Sequence, residues 1–106
     1  MTVMEILMTD QISAAHILVS TDGKDKETAR KEIDAIHADI KGGADFAEIA
    51  KDKSDCPSGS RGGDLGSFGR GMMVPEFEEA AFGLEPGALS DVVETDFGFH
   101  VITRTE

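Results

Sequence analysis

Between Ser54 and Gly71 the chain carries six of its 12 glycines and no helical period. The middle of the molecule must therefore be a loop framing one short strand, at residues 65–68. Regular structure has to come from the flanks. On the N-terminal side, residues 12–19 alternate, setting Ile12, Ala14, His16 and Leu18 on one face and Ala15, Ile17 and Val19 on the other. That is the pattern of a central strand covered on both faces. Thr21-Asp22-Gly23 breaks it. Ala29, Ile33, Ile36 and Ile40 then recur at helical spacing among charged residues, and Gly42-Gly43 stops that helix. Asp45, with Glu48 three residues later, caps a second short helix whose apolar side is Phe46, Ile49 and Ala50.

On the C-terminal side Pro75 suits the first turn of a helix, and Glu76, Glu78 and Glu79 favour its positive end. Phe77, Ala80 and Ala81 form its apolar side, and Gly83 ends it. Leu84-Glu85-Pro86-Gly87 reads as a turn, residues 91–94 as a short edge strand and residues 99–104 as the last strand. Helices between strands would suit a parallel sheet, yet the late connections are too short for repeated crossovers. An α+β fold follows. With 106 residues, 40% of them hydrophobic, the chain supports one core and one domain.

Ten basic and 21 acidic residues leave a net charge of −11, which repels nucleic acid. The charge is read first as solubility, ahead of any preference for basic clients. No apolar run reaches the roughly 18 residues that crossing a bilayer requires. The first residues, MTVMEILMTDQ, lack the basic start and cleavage site of a signal peptide. The single Cys56 excludes an internal disulfide and fits a reducing compartment. A cytoplasmic monomer is the expectation.

Two histidine-bearing strands, AAHILV at 14–19 and FGFHVI at 97–102, bracket GGDLGSFGRGMMVPEFEEAAF at 62–82, with Cys56 between. In this order the segments resemble the parvulin family of peptidyl-prolyl isomerases from about Ser13 to Glu106, most specifically in Gly71-Met72-Met73-Val74-Pro75-Glu76-Phe77. Residues 1–11 form an extension without an assigned role, and residues 12–106 the isomerase domain. The resemblance implies a four-stranded, mostly antiparallel sheet wrapped by about four helices, with the two histidine strands side by side at its centre. It implies acceleration of Xaa-Pro rotation in peptides and folding proteins, with no cofactor and no metal.

By the same resemblance His16 and His100 hydrogen-bond to one another beneath the substrate, Thr95 orients one ring, and Cys56 lies at the floor of the site. Leu65, Met73 and Phe77 line a shallow pocket for the proline ring, Phe97 closes one side, and Phe68 supports the sheet beneath. Other parvulins carry aspartate at the position of Cys56, which implies polarity there and not a covalent thioester. Phosphate-directed parvulins carry a basic loop after the first strand, whereas this strand runs into Ser20-Thr21-Asp22-Gly23, so no phosphate requirement is expected.

Each residue also has a plainer reading. Histidine in an apolar strand is usually a satisfied core residue, Cys56 alone is more often a small hydrophobe, and Leu65, Met73 and Phe77 are ordinary core by pattern. His37, on the long helix, is expected at the surface. Two rivals to the enzyme remain: a peptide-binding chaperone module with little turnover, and a metal site of His16, Cys56 and His100, disfavoured by the absence of a local chelating pair.

Overall fold

Four strands form one sheet in the computed structural model, which describes residues 11–106. In chain order the elements are β1 (Gln11–Ser20), α1 (Lys26–Lys41), α2 (Phe46–Lys53), a 3-10 helix (Pro57–Arg61), β2 (Asp64–Gly69), α3 (Pro75–Phe82), β3 (Val93–Thr95) and β4 (Gly98–Arg104). The strand order is β2-β1-β4-β3, and every pairing is antiparallel. The two histidine strands are thus the central pair. Their register sets His16 opposite Ile102 and His100 opposite Leu18. The two histidines are therefore diagonal neighbours on one face of the sheet, within reach of each other.

Local chemistry explains the helices. Asp25 accepts the Thr28 N–H at 3.2 Å and Asp45 the Glu48 N–H at 3.3 Å, each satisfying a donor left free at a helix start. Pro75 occupies the first turn of α3, where its missing N–H costs nothing. The α1 stripe of Ala29, Ile33 and Ile36 packs, with Ala50 of α2, on Ile17, Val19, Phe99 and Val101. On the other face α3 lays Phe77 and Ala81 against Ile12, Ala14, Phe68 and Ile102. Each fully covered aliphatic side chain such as Ile17 or Ile33 contributes about 1.5–3 kcal/mol.

Two glycines let backbone segments close on the central strands. Gly63 sits at φ +85°, where a Cβ would run into the His16 carbonyl, and its own carbonyl accepts the His16 N–H at 2.9 Å. Gly98 sits at φ +144°, and a Cβ there would run into the Val19 carbonyl. Only glycine tolerates both the dihedral and the approach. Gly63 thereby docks the glycine-rich stretch directly on the histidine strand.

Three α-helices and one 3-10 helix match the expected number, but Pro57–Arg61 lies inside the segment read as loop. Its short PSGSR sequence has no apolar period to betray it. The edge strand runs Val93–Thr95 and not 91–94, and the chain before it bridges to the far end of β4 through Leu89 and Thr103. His37 is not a free surface residue: it is half-buried, and its Nε2 lies 2.9 Å from the Ser90 carbonyl. β1 begins at Gln11, one residue before the expected boundary, and residues 1–10 lie outside the described residues.

Candidate active site

On the α3 face an open cavity of about 490 Å³ is lined by His16, Cys56, Leu65, Met73, Phe77, Phe97 and His100, seven of the eight residues singled out from sequence. The eighth, Thr95, is buried and reaches the site through His100. Leu18, Asp55, Pro57, Met72 and Val74 share the lining and were not singled out. A signal for three of them existed. Leu18 shares the His16 face of β1, and Met72 and Val74 belong to the motif that contains Met73.

Each wall comes from a different element. β1 and β4 supply the histidines as the floor, β2 supplies Leu65, α3 supplies Phe77, and the turn before α3 supplies Met73 and Val74. Phe77 stands edge-on to both imidazoles, with ring centroids 5.4 Å away in each case. Behind it, Phe68 is buried and packs at 6.2 Å from the Phe77 ring. At the mouth, Phe97 and Met72 are 60% and 68% exposed, an unusual degree for large apolar side chains beside one opening.

The polar part of the floor is a hydrogen-bonded row. His16 Nδ1 and His100 Nδ1 are 3.0 Å apart, and His100 Nε2 lies 2.7 Å from Thr95 Oγ1, which also accepts the Phe97 N–H at 3.2 Å. His16 Nε2 has no partner among the described residues. Burial lowers the pKa of His16 to about 4. Burial, and then the charge His16 would carry, lower that of His100 to about 4. Desolvation penalises the charged imidazole, so both rings are neutral at neutral pH.

Cys56 is half-buried, and its sulfur accepts from Ser58 Oγ at 3.2 Å. Neither histidine hydrogen-bonds to the thiol, since their nitrogens are engaged with each other and with Thr95 or lack a partner. Among the described residues no three His, Cys, Asp or Glu side chains converge as a metal-holding group. Such an arrangement can hold an apolar ring in a dry pocket over neutral polar groups. Among the described residues no base hydrogen-bonds to the Cys56 thiol, as activation of a nucleophile requires.

A second cavity of about 500 Å³ adjoins the first, sharing Leu18, Asp55 and Phe97 and adding Ser20, Thr21, Asp22 and Asp96. Its three aspartates set a negative potential beside the apolar pocket.

The PPIC-type PPIase domain, or Rotamase, family profile matches residues 16–106. The peptidyl-prolyl cis-trans isomerase Pin1 of Arabidopsis thaliana is 45% identical over 114 residues, covering 91% of this chain and 96% of that protein. The foldase protein PrsA of Geobacillus kaustophilus is 48% identical over 97 residues, which span 91% of this chain but only 32% of the foldase. Among solved structures, NmPin, the parvulin of Nitrosopumilus maritimus, superposes with a TM-score of 0.73 at 39% identity, covering 92% of this chain and 97% of that one. Among the described residues no helix is long and apolar enough to cross a membrane.

Proposed function

The chain belongs to the PPIC-type peptidyl-prolyl isomerase family, the parvulins, and is a peptidyl-prolyl cis-trans isomerase; from that premise we propose that it acts non-covalently and needs no phosphate before proline. Its substrates are Xaa-Pro bonds in peptides and partly folded proteins. The observation that carries the reading is the apolar cavity of Leu65, Met73 and Phe77 over a neutral histidine floor.

The energetic demand is small. Rotation about an Xaa-Pro bond takes tens to hundreds of seconds unaided. Raising about 0.01 per second to about 100 per second requires roughly 5–6 kcal/mol at 1.36 kcal/mol per decade. A planar amide is more dipolar than its twisted transition state, so seating the proline ring among Leu65, Met73 and Phe77 penalises the ground state relative to the twist. Polar groups near the rotating bond add to this.

Thr95 is a positioning residue in this scheme. Its oxygen accepts the Phe97 N–H and shares a second hydrogen bond with His100 Nε2, which fixes the orientation of that ring. Between the two neutral rings one Nδ1 donates and the other accepts, so the pair is held without a net charge. Cys56 contributes polarity. A thiol nucleophile needs a base within reach, and the absence of a histidine bond to Cys56 supports the non-covalent route.

Phe97 flanks the bound chain at the mouth. Asp22, Asp55 and Asp96 line the adjoining cavity, so a phosphate dianion before proline would meet repulsion and no arginine clamp. The negative charge also disfavours nucleic acid as a partner. A cytoplasmic monomer, with residues 12–106 as the working domain, completes the reading.

The decisive measurement is NMR exchange spectroscopy, without a coupling protease, on Xaa-Pro peptides that differ only before proline. Unphosphorylated peptides are expected to exchange faster at catalytic enzyme concentrations, with phosphorylated twins no better. Binding without acceleration would instead identify a chaperone module. A large advantage for the phosphopeptide would overturn the specificity assignment.

A further inference from the structure

Met73 and Val74, one wall of the cavity, belong to no helix or strand: they lie in the connection between β2 and α3. Val74, at the head of α3, makes no side-chain capping bond, and Met72, 68% exposed, accepts the Gly69 N–H through its sulfur at 3.3 Å. Such a connection would ordinarily open at little cost. Glu78 holds it. Its Oε1 accepts the Gly71 N–H at 2.6 Å, and its Oε2 lies 3.8 Å from Arg70 Nη1, with only 22% of the side chain exposed. The Glu78 N–H in turn donates to the Val74 carbonyl at 2.9 Å. That backbone bond opens the helix whatever the side chain, so the carboxylate's own hold is on the Arg70–Gly71 side of Met72 and Met73, and a short bond to a carboxylate is of the strong, charge-assisted kind.

The neighbouring residue is Phe77, another wall of the same cavity. Both walls are thereby referred to a single turn of α3. Arg70, whose guanidinium stands 4.4 Å from the Phe82 ring centroid at the end of the same helix, ties the near end of the connection to it as well.

We infer that Glu78 is a positioning residue of the isomerase, its carboxylate fixing the connection so that Met73 and Val74 stay closed on the proline ring. The inference rests on the reading of this cavity as the proline site. Its test compares Glu78→Ala, Glu78→Gln and Glu76→Ala in the full chain, by isomerisation kinetics, chemical denaturation and hydrogen exchange at the Gly71 amide. Glu76 is exposed in the first turn of α3 and serves as the control for losing an acid at the helix start.

Glu78→Ala is expected to raise KM about tenfold with kcat within about twofold, and to expose Gly71 to exchange. Glu78→Gln keeps an acceptor for the Gly71 N–H and should restore most of both. Glu76→Ala should leave KM and Gly71 protection unchanged. An unchanged KM despite loss of Gly71 protection overturns the inference and leaves the pocket reading intact, as does a KM rise shared equally by Glu76→Ala. If Phe77→Ala also leaves KM unchanged while Gly71 stays protected in the wild type, the pocket reading itself fails.

Discussion

The two faces of the sheet are finished differently. On one, a 16-residue helix closes an apolar core in which Ile17, Ile33 and Val101 are wholly covered. On the other, an eight-residue helix covers only part of the strands, and the uncovered part is a cavity floored by two histidines. Burying imidazoles there would be costly without partners, and the His16–His100–Thr95 row supplies most of them. The closed face is packed throughout, and the open face, beside its own smaller core, leaves apolar surface uncovered. A substitution should therefore reveal its face by which quantity it moves.

Ile33→Ala should have the largest effect, a stability loss of about 2–5 kcal/mol, with kcat/KM per folded molecule unchanged. Denaturant titration and kinetics on the same sample check it. A loss of activity in the folded fraction would mean that the two faces are coupled.

Phe77→Ala should differ in kind, lowering kcat/KM per folded molecule about a hundredfold on top of a stability loss of comparable size, because its ring is buried in the core and also walls the cavity. A severe stability loss with unaltered kinetics would make Phe77 ordinary core and erase the contrast.

At Cys56 the expected effect is smaller. Cys56→Asp should retain several-fold more turnover than Cys56→Ala, since a polar group near the rotating amide is kept. Intact-mass spectrometry during turnover sharpens the result: a substrate adduct on Cys56, with both variants inactive, would favour covalent catalysis.

The least change in turnover per folded molecule is expected from pH. With the folded-state values of His16 and His100 at about 4, below the ordinary 6.5, their contribution to stability is complete above pH 6.5 and is lost as pH falls toward 4. Their imidazole NMR signals should not titrate between pH 8 and about 5, and turnover should stay level over that range. Titration of either ring near pH 6.5 would show that the floor is wetter than its burial implies.

Much of the fold was legible because its causes are local. The Asp45 cap, the Ile33 and Ile36 stripe and the Pro75 start each depend on residues within one or two helical turns, and periodicity and capping chemistry report them directly. The pairing of the two histidine strands was legible only through the family resemblance, not from their alternation. The 3-10 helix at Pro57–Arg61 escaped notice, for its conformation is held by contacts outside it: Gly59 fits against the Ala50 carbonyl and Gly63 against His16. The bond from His37 to the Ser90 carbonyl spans 53 residues and has no local signature.

The sequence by itself determined which residues are apolar, which ones cap, and that two histidines sit on alternating strands. Tertiary structure decided that the rings meet. Residues 16 and 100 are 84 positions apart, and a one-residue slip between β1 and β4 would turn one ring to the opposite face. Their 3.0 Å contact, the cavity above them and its acidic neighbour exist because the antiparallel register, pinned by the close approach at Gly98, brings distant short segments onto one surface.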